Sequence, residues 1–171
     1  EIAFLSIRQL EIRAVDFQVA GGEPQISLPR LVTSLGREIR HIALGSDHQK
    51  YLVGRQLKPE ARVDIITEFR KIGFVPTSMI DVSDGLASEL LHLARHSACG
   101  LEIFEDKIPV ENLTKLAASD FGLSPLTCAM NGGEDYELLF TVSQADYEKV
   151  NKMVDVSIIG VIREKDRGCR L

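Results

Sequence analysis

Along the last two thirds of the chain the apolar positions switch between helical spacing and short continuous runs. Leu86, Leu90, Leu93 and Ala94 recur at helical intervals and predict a helix over residues 85–97, directly after the strand-length apolar run 77–82. The same reading predicts helices near 61–72, 111–121 and 144–153, and strands near 101–104, 136–142 and 158–160. The stretch 122–125 reads as a helix-to-strand loop. Ahead of these, residues 2–20 alternate irregularly and predict one or two strands, 21–24 a turn, and 28–42 an amphipathic helix with Pro29 in its first turn. The loop 45–49 is the expected domain edge, dividing a strand-plus-helix segment, 1–48, from a main domain, 49–171. Helices and strands in alternation predict an α+β fold, a mixed sheet with helices packed on one face, since each amphipathic helix must bury its apolar stripe.

Composition and charge narrow the function classes. With 171 residues, 44% hydrophobic and 26% charged, the chain can bury a sizeable core and reads as an ordinary soluble protein. Its net charge of −5 is uneven: residues 1–60 hold eight basic and seven acidic side chains, the remainder twelve and eighteen. An acidic main domain argues against nucleic acid, whose backbone needs clustered positive charge. No apolar run approaches the ~20 residues of a membrane span. Cys99, Cys128 and Cys169 form no short-spaced motif, so they are expected to be reduced thiols of a cytoplasmic protein and small core residues.

Two strings carry candidate chemistry: Met79-Ile-Asp-Val-Ser-Asp-Gly-Leu86 and Asn131-Gly-Gly-Glu-Asp-Tyr-Glu-Leu-Leu-Phe140. The first sets Asp81, Ser83 and Asp84 at a strand-to-helix turn, where the helix's free N–H groups favour phosphate oxygens. Carboxylates there repel phosphate unless a cation intervenes, so two aspartates flanking a serine fit hard-oxygen ligation of magnesium beside a nucleotide. The alternative is a helix N-cap, for which Ser and Asp are preferred residues. In the second string, Glu134, Asp135 and Glu137 crowd three acids against a strand, which calls for cations or donors to neutralise them, or for plain solvation. His92 and His96, spaced i, i+4 with Glu89 nearby, offer either a zinc-like pair or a solvated helix face.

Both strings resemble those of the thiamine-monophosphate kinases, members of the superfamily that includes aminoimidazole ribonucleotide synthetase. Leu57-Lys-Pro-Glu-Ala-Arg62, Asp106-Lys-Ile-Pro109 and Ile158-Ile-Gly160 match further family segments in order, and the likeness covers about residues 50–168. It implies the superfamily's C-terminal domain type, with Asp81 and Asp84 as Mg2+ ligands at the catalytic centre, Ser83 contacting ATP and Glu134 contacting the substrate. The implied reaction is transfer of the γ-phosphoryl group of ATP to thiamine monophosphate, giving thiamine diphosphate. The family's N-terminal Gly-Asp-Asp and Gly-Gly-Asp strings do not occur in these residues, and the family's C-terminal aromatic contact to the substrate lies past Leu171. The chain is therefore expected to supply the C-terminal part of the site, with any homodimer formed through an N-terminal domain absent here. The alternatives are a superfamily member with another acceptor, and a catalytically incomplete nucleotide-binding or interaction module.

Overall fold

The computed structural model describes residues 3–7, 14–15, 55, 58–120, 122–133 and 136–171. The expected turn at 21–24, helix at 28–42 and loop at 45–49 lie outside these residues, as do Glu134 and Asp135. The described elements are β1 (Ala3–Ile7), β2 (Ala14–Val15), α1 (Val63–Ile72), β3 (Ser78–Asp81), α2 (Leu86–His96) and β4 (Gly100–Ile103). They continue with α3 (Asn112–Asp120), α4 (Pro125–Asn131), β5 (Gly132–Gly133), β6 (Leu138–Ser143), α5 (Tyr147–Val150), β7 (Ser157–Arg163) and β8 (Cys169–Arg170).

Six strands form one sheet in the order β3-β6-β1-β7-β4-β8, and β2 pairs with β5 in a separate two-stranded ladder. Every pairing in the large sheet is antiparallel except β4 with β8, which makes the sheet mixed, as expected. The N-terminal strand sits in the middle of this sheet, with Phe4 opposite Val142 on one side and Val161 on the other. Residues 3–7, ahead of the boundary expected at residue 48, share a sheet with the strands that follow it. No sequence periodicity reports such a long-range pairing.

Strand alternation divides the core in two. Leu139 and Ile159 join Val82, Leu86, Leu90 and Leu93 of the α2 side, whereas their neighbours Phe140 and Ile158 join Ile65, Phe69, Phe74 and Val150 of the α1 and α5 side. Successive strand residues point to opposite faces. The α2 side and the α1 and α5 side thus lie on opposite faces of the mixed sheet. The second cluster is centred on Phe69, whose ring meets those of Phe74 and Phe140 edge-on at 4.9 Å each. Such pairs add about 0.5–1.5 kcal/mol beyond their burial.

Two local expectations change. The 122–125 stretch is not a connection to a strand: Ser124 accepts the Thr127 N–H at 3.4 Å and Pro125 occupies the first turn, so it starts α4. The helix expected over 144–153 shortens to α5, with Asp146 as its N-cap and Asn151 ending it. Of the three free thiols Cys128 is buried and Cys99 half-buried, but Cys169, expected in the core, is exposed on an edge strand. No helix among the described residues is long and apolar enough to cross a membrane.

Candidate active site

The first string folds as its pattern suggests. Asp81 is the last residue of β3, paired with Leu138, and the chain turns through Val82, Ser83 and Asp84 into α2. Val82 is buried in the core and anchors the turn, while Asp81 and Asp84 are exposed and Ser83 is half-buried. The N-cap of α2 is Gly85, at φ 104°, and it makes no side-chain capping bond. Neither Ser83 nor Asp84 is thus consumed in capping, and the reading of this turn as a simple N-cap fails. The buried Glu89 takes that part instead, its Oε1 accepting the Asp84 N–H at 3.2 Å.

The second string is laid directly on the first. A Cβ on Gly133 would stand 2.5 Å from the carbonyl oxygen of Ser83, and one on Gly85 would stand 2.9 Å from the carbonyl carbon of Asn131. Only glycine allows this approach of two backbones. Further on, the chain is pinned back by two bonds to a single residue: the Tyr136 N–H donates to the Val82 carbonyl at 2.9 Å, and the Val82 N–H donates to the Glu137 carbonyl at 2.8 Å. The structure brings Asp81, Ser83 and Asp84 onto one turn and sets Gly133 and Tyr136 against it.

Of the three acids crowded in the second string, Glu137 turns inward and is 2% exposed. Its carboxylate lies 3.5 Å from Nη2 of Arg55 and 3.5 Å from Nε of Arg62, while Nη2 of Arg62 reaches Asp64 at 2.6 Å. Arg62 closes the proline-and-arginine stretch noted in the sequence. Two guanidinium groups, which stay protonated in proteins, offset the burial of this carboxylate.

Asp81 and Asp84 make no carboxylate hydrogen bond or ion pair with another described residue, so their oxygens are available to a hard cation. Among the described residues no group of three His, Cys, Asp or Glu side chains could hold a metal ion. The zinc alternative at α2 has no such support. Nδ1 of His96 bonds the His92 carbonyl at 2.9 Å, and Glu89 is buried under the turn.

No family model matches the chain. Against curated proteins it is 36% identical over 113 residues to a thiamine-monophosphate kinase of Aquifex aeolicus (strain VF5), covering 66% of this chain and 35% of that protein. The chain is homologous to the thiamine-monophosphate kinases. A solved Aquifex aeolicus thiamine monophosphate kinase superimposes with a TM-score of 0.73 at 26% identity, over 98% of this chain and 49% of that one. A second solved kinase structure, AaThiL complexed with AMPPCP and TMP, gives 0.71 at 27% identity, over 95% of this chain and 45% of that one. The chain thus spans between a third and a half of the length of these kinases.

Proposed function

We propose that this chain supplies one part of the active site of a thiamine-monophosphate kinase, catalysing Mg2+- and ATP-dependent formation of thiamine diphosphate in the cytoplasm. The observation that carries this reading is the backbone contact of Gly133 with Ser83, which unites the two strings in a single site. In this reading Asp81 and Asp84 hold Mg2+, Ser83 donates to a phosphate oxygen of ATP, and Glu134 binds the thiamine substrate. The bound cation screens the repulsion between two phosphate groups. The chain's own residues do the positioning. An oxygen of the monophosphate forms a bond to the γ-phosphorus as the bridging bond to ADP breaks, and ADP leaves with the electron pair. This needs alignment and exclusion of water rather than covalent work by the protein. The first turn of α2 adds unsatisfied N–H groups that favour the same phosphates. The kinases it matches are about twice as long or more, and in this reading the remaining site residues and any dimer contact come from the parts of such a kinase that this chain does not span.

The test is formation of thiamine diphosphate from thiamine monophosphate and Mg-ATP, by this chain and by a kinase-length protein extended with the N-terminal domain. Turnover by the extended protein, with little or none by the chain alone, is expected. ATP consumption driven only by another acceptor would overturn the substrate assignment and leave the two strings as a superfamily signature.

A further inference from the structure

Glu89 is a carboxylate in an apolar place. It lies on the buried side of α2 with Leu86, Leu90 and Leu93, and it is itself 3% exposed. Among the described residues no lysine, arginine or histidine pairs with it. An apolar side chain of similar size would fill the same space without the cost of desolvating a charge. The positive end of α2 offsets part of that cost, since Glu89 stands in the first turn. What the carboxylate adds is one bond: its Oε1 accepts the Asp84 N–H at 3.2 Å. That N–H precedes the N-cap Gly85 and takes no part in the ladder of α2, so the bond does not extend the helix. It reaches from inside the helix back to the residue whose own carboxylate is exposed. Among the described residues it is the only side-chain hydrogen bond made to residues 81–85.

Resting on the function proposed above, we infer that Glu89 is a positioning residue for the cation: by holding the backbone N–H of Asp84 from beneath the turn, it fixes the direction in which the Asp84 carboxylate leaves the chain and so prepares that carboxylate for Mg2+. The nitrogen and Cβ of Asp84 share one Cα, so a tether on the nitrogen limits the swing of the side chain's root. On its other side the turn is braced at Gly85, where the backbone of Asn131 leaves no room for a Cβ. Groups that orient a metal ligand from behind set metal affinity in this way. The effect of losing Glu89 therefore falls on the cation first, and on the thiamine substrate only through it.

Glu89→Met tests the bond, because it keeps the bulk, removes the acceptor and suits the apolar surroundings. In the kinase-length protein it is expected to melt at or above the wild-type temperature. It should nevertheless bind Mn2+, a stand-in for Mg2+ that carboxylates also hold, about tenfold more weakly, read from the electron paramagnetic resonance of the free ion. Glu89→Leu removes the same acceptor and carries the test if Glu89→Met does not fold. Glu89→Gln leaves an acceptor oxygen in place and is expected to lose less than about threefold. Asp84→Asn removes the ligand concerned, so adding Glu89→Met to it weakens binding no further. A lowered melting temperature with unaltered Mn2+ affinity would mark Glu89 as merely structural and overturn the inference. Equal losses in Glu89→Met and Glu89→Gln overturn it as well, since they trace to charge rather than to the bond, and so does a further loss in the double variant. In turnover, Glu89→Met should raise the Mg2+ concentration for half-maximal rate about tenfold and change KM for thiamine monophosphate less than about twofold. If the wild-type protein does not phosphorylate thiamine monophosphate, the kinase reading fails on its own and the Mn2+ titration still decides the role of Glu89. A wild-type protein that binds no Mn2+ overturns that role.

Discussion

At the scale of single residues, the site separates side chains that face solvent from those that hold them in place. Asp81 and Asp84 are exposed and have no side-chain partner among the described residues, so Asp81→Asn and Asp84→Asn should alter stability by no more than about 0.5 kcal/mol. In the kinase-length protein the same variants should lower kcat by about a thousandfold or more, the scale of losing a metal-held charge. Thermal melts read beside steady-state turnover check both halves, and near-normal turnover in either variant would remove that aspartate from the site. Glu134→Gln should raise KM for thiamine monophosphate more than KM for ATP, and equal rises would mark a structural role. The strand-to-helix turn that carries Asp81, Ser83 and Asp84 was legible in the sequence because the apolar run 77–82 gives way there to helical spacing. Glu137 and Glu89 were not legible as supports. In a run of acids nothing local says which carboxylate turns inward, and Arg62 is far from Glu137 in sequence. Crowded acids need cations or donors to neutralise them, and in the fold Glu137 meets arginines.

Elements meet at this site through backbone, so its geometry depends on residues that carry no functional groups. Gly133→Ala would press a Cβ to 2.5 Å from the Ser83 carbonyl oxygen, with no flexible side chain there to yield. Overpacking of this sort costs about 1–3 kcal/mol. It would also push the two strings apart, so kcat in the kinase-length protein should fall by at least about tenfold. A Gly133→Ala protein that melts normally and turns over normally would show that the strings act independently. α5 offers a prediction in pH. Lys149 foremost, through a hydrogen bond, and then Ser143 hold the Asp146 carboxyl below its ordinary value. A depressed folded pKa stabilises the protein above the unfolded value, and that contribution is lost as pH falls through the folded one. The Tm of Asp146→Asn should therefore lie slightly below that of the wild type at neutral pH, with the gap closing once pH drops beneath the usual carboxylate range. α1, α2 and α3 were legible because their apolar stripes run at helical period over nine to eleven residues. α4, at seven residues, is too short for a stripe, and its start was signalled only by the capping chemistry of Ser124 and Pro125.

On the scale of the whole molecule, β1 decides whether the sheet is one body. It lies between β6 and β7, so without it the pair β3-β6 has no hydrogen-bonded neighbour linking it to β7-β4-β8. Each half of the sheet would then expose an unpaired strand edge beside buried side chains such as Val142 and Ile159. The class of the fold followed from alternating helix and strand patterns, yet the place of β1 did not, because its partners are more than a hundred residues away in sequence. Removal of residues 1–7 should therefore abolish a single cooperative unfolding transition, which urea denaturation followed by far-UV circular dichroism would read as a broad or two-stage curve. Aggregation through the new edges should accompany it. The site would suffer in proportion, since Asp81 and Leu138 sit on the half that is cut loose from the rest of the sheet. If the shortened chain instead unfolds at the wild-type urea midpoint with an unchanged slope, β1 is dispensable and the folding unit is residues 49–171 after all. The slope separates these outcomes, because it scales with the surface that a single transition exposes.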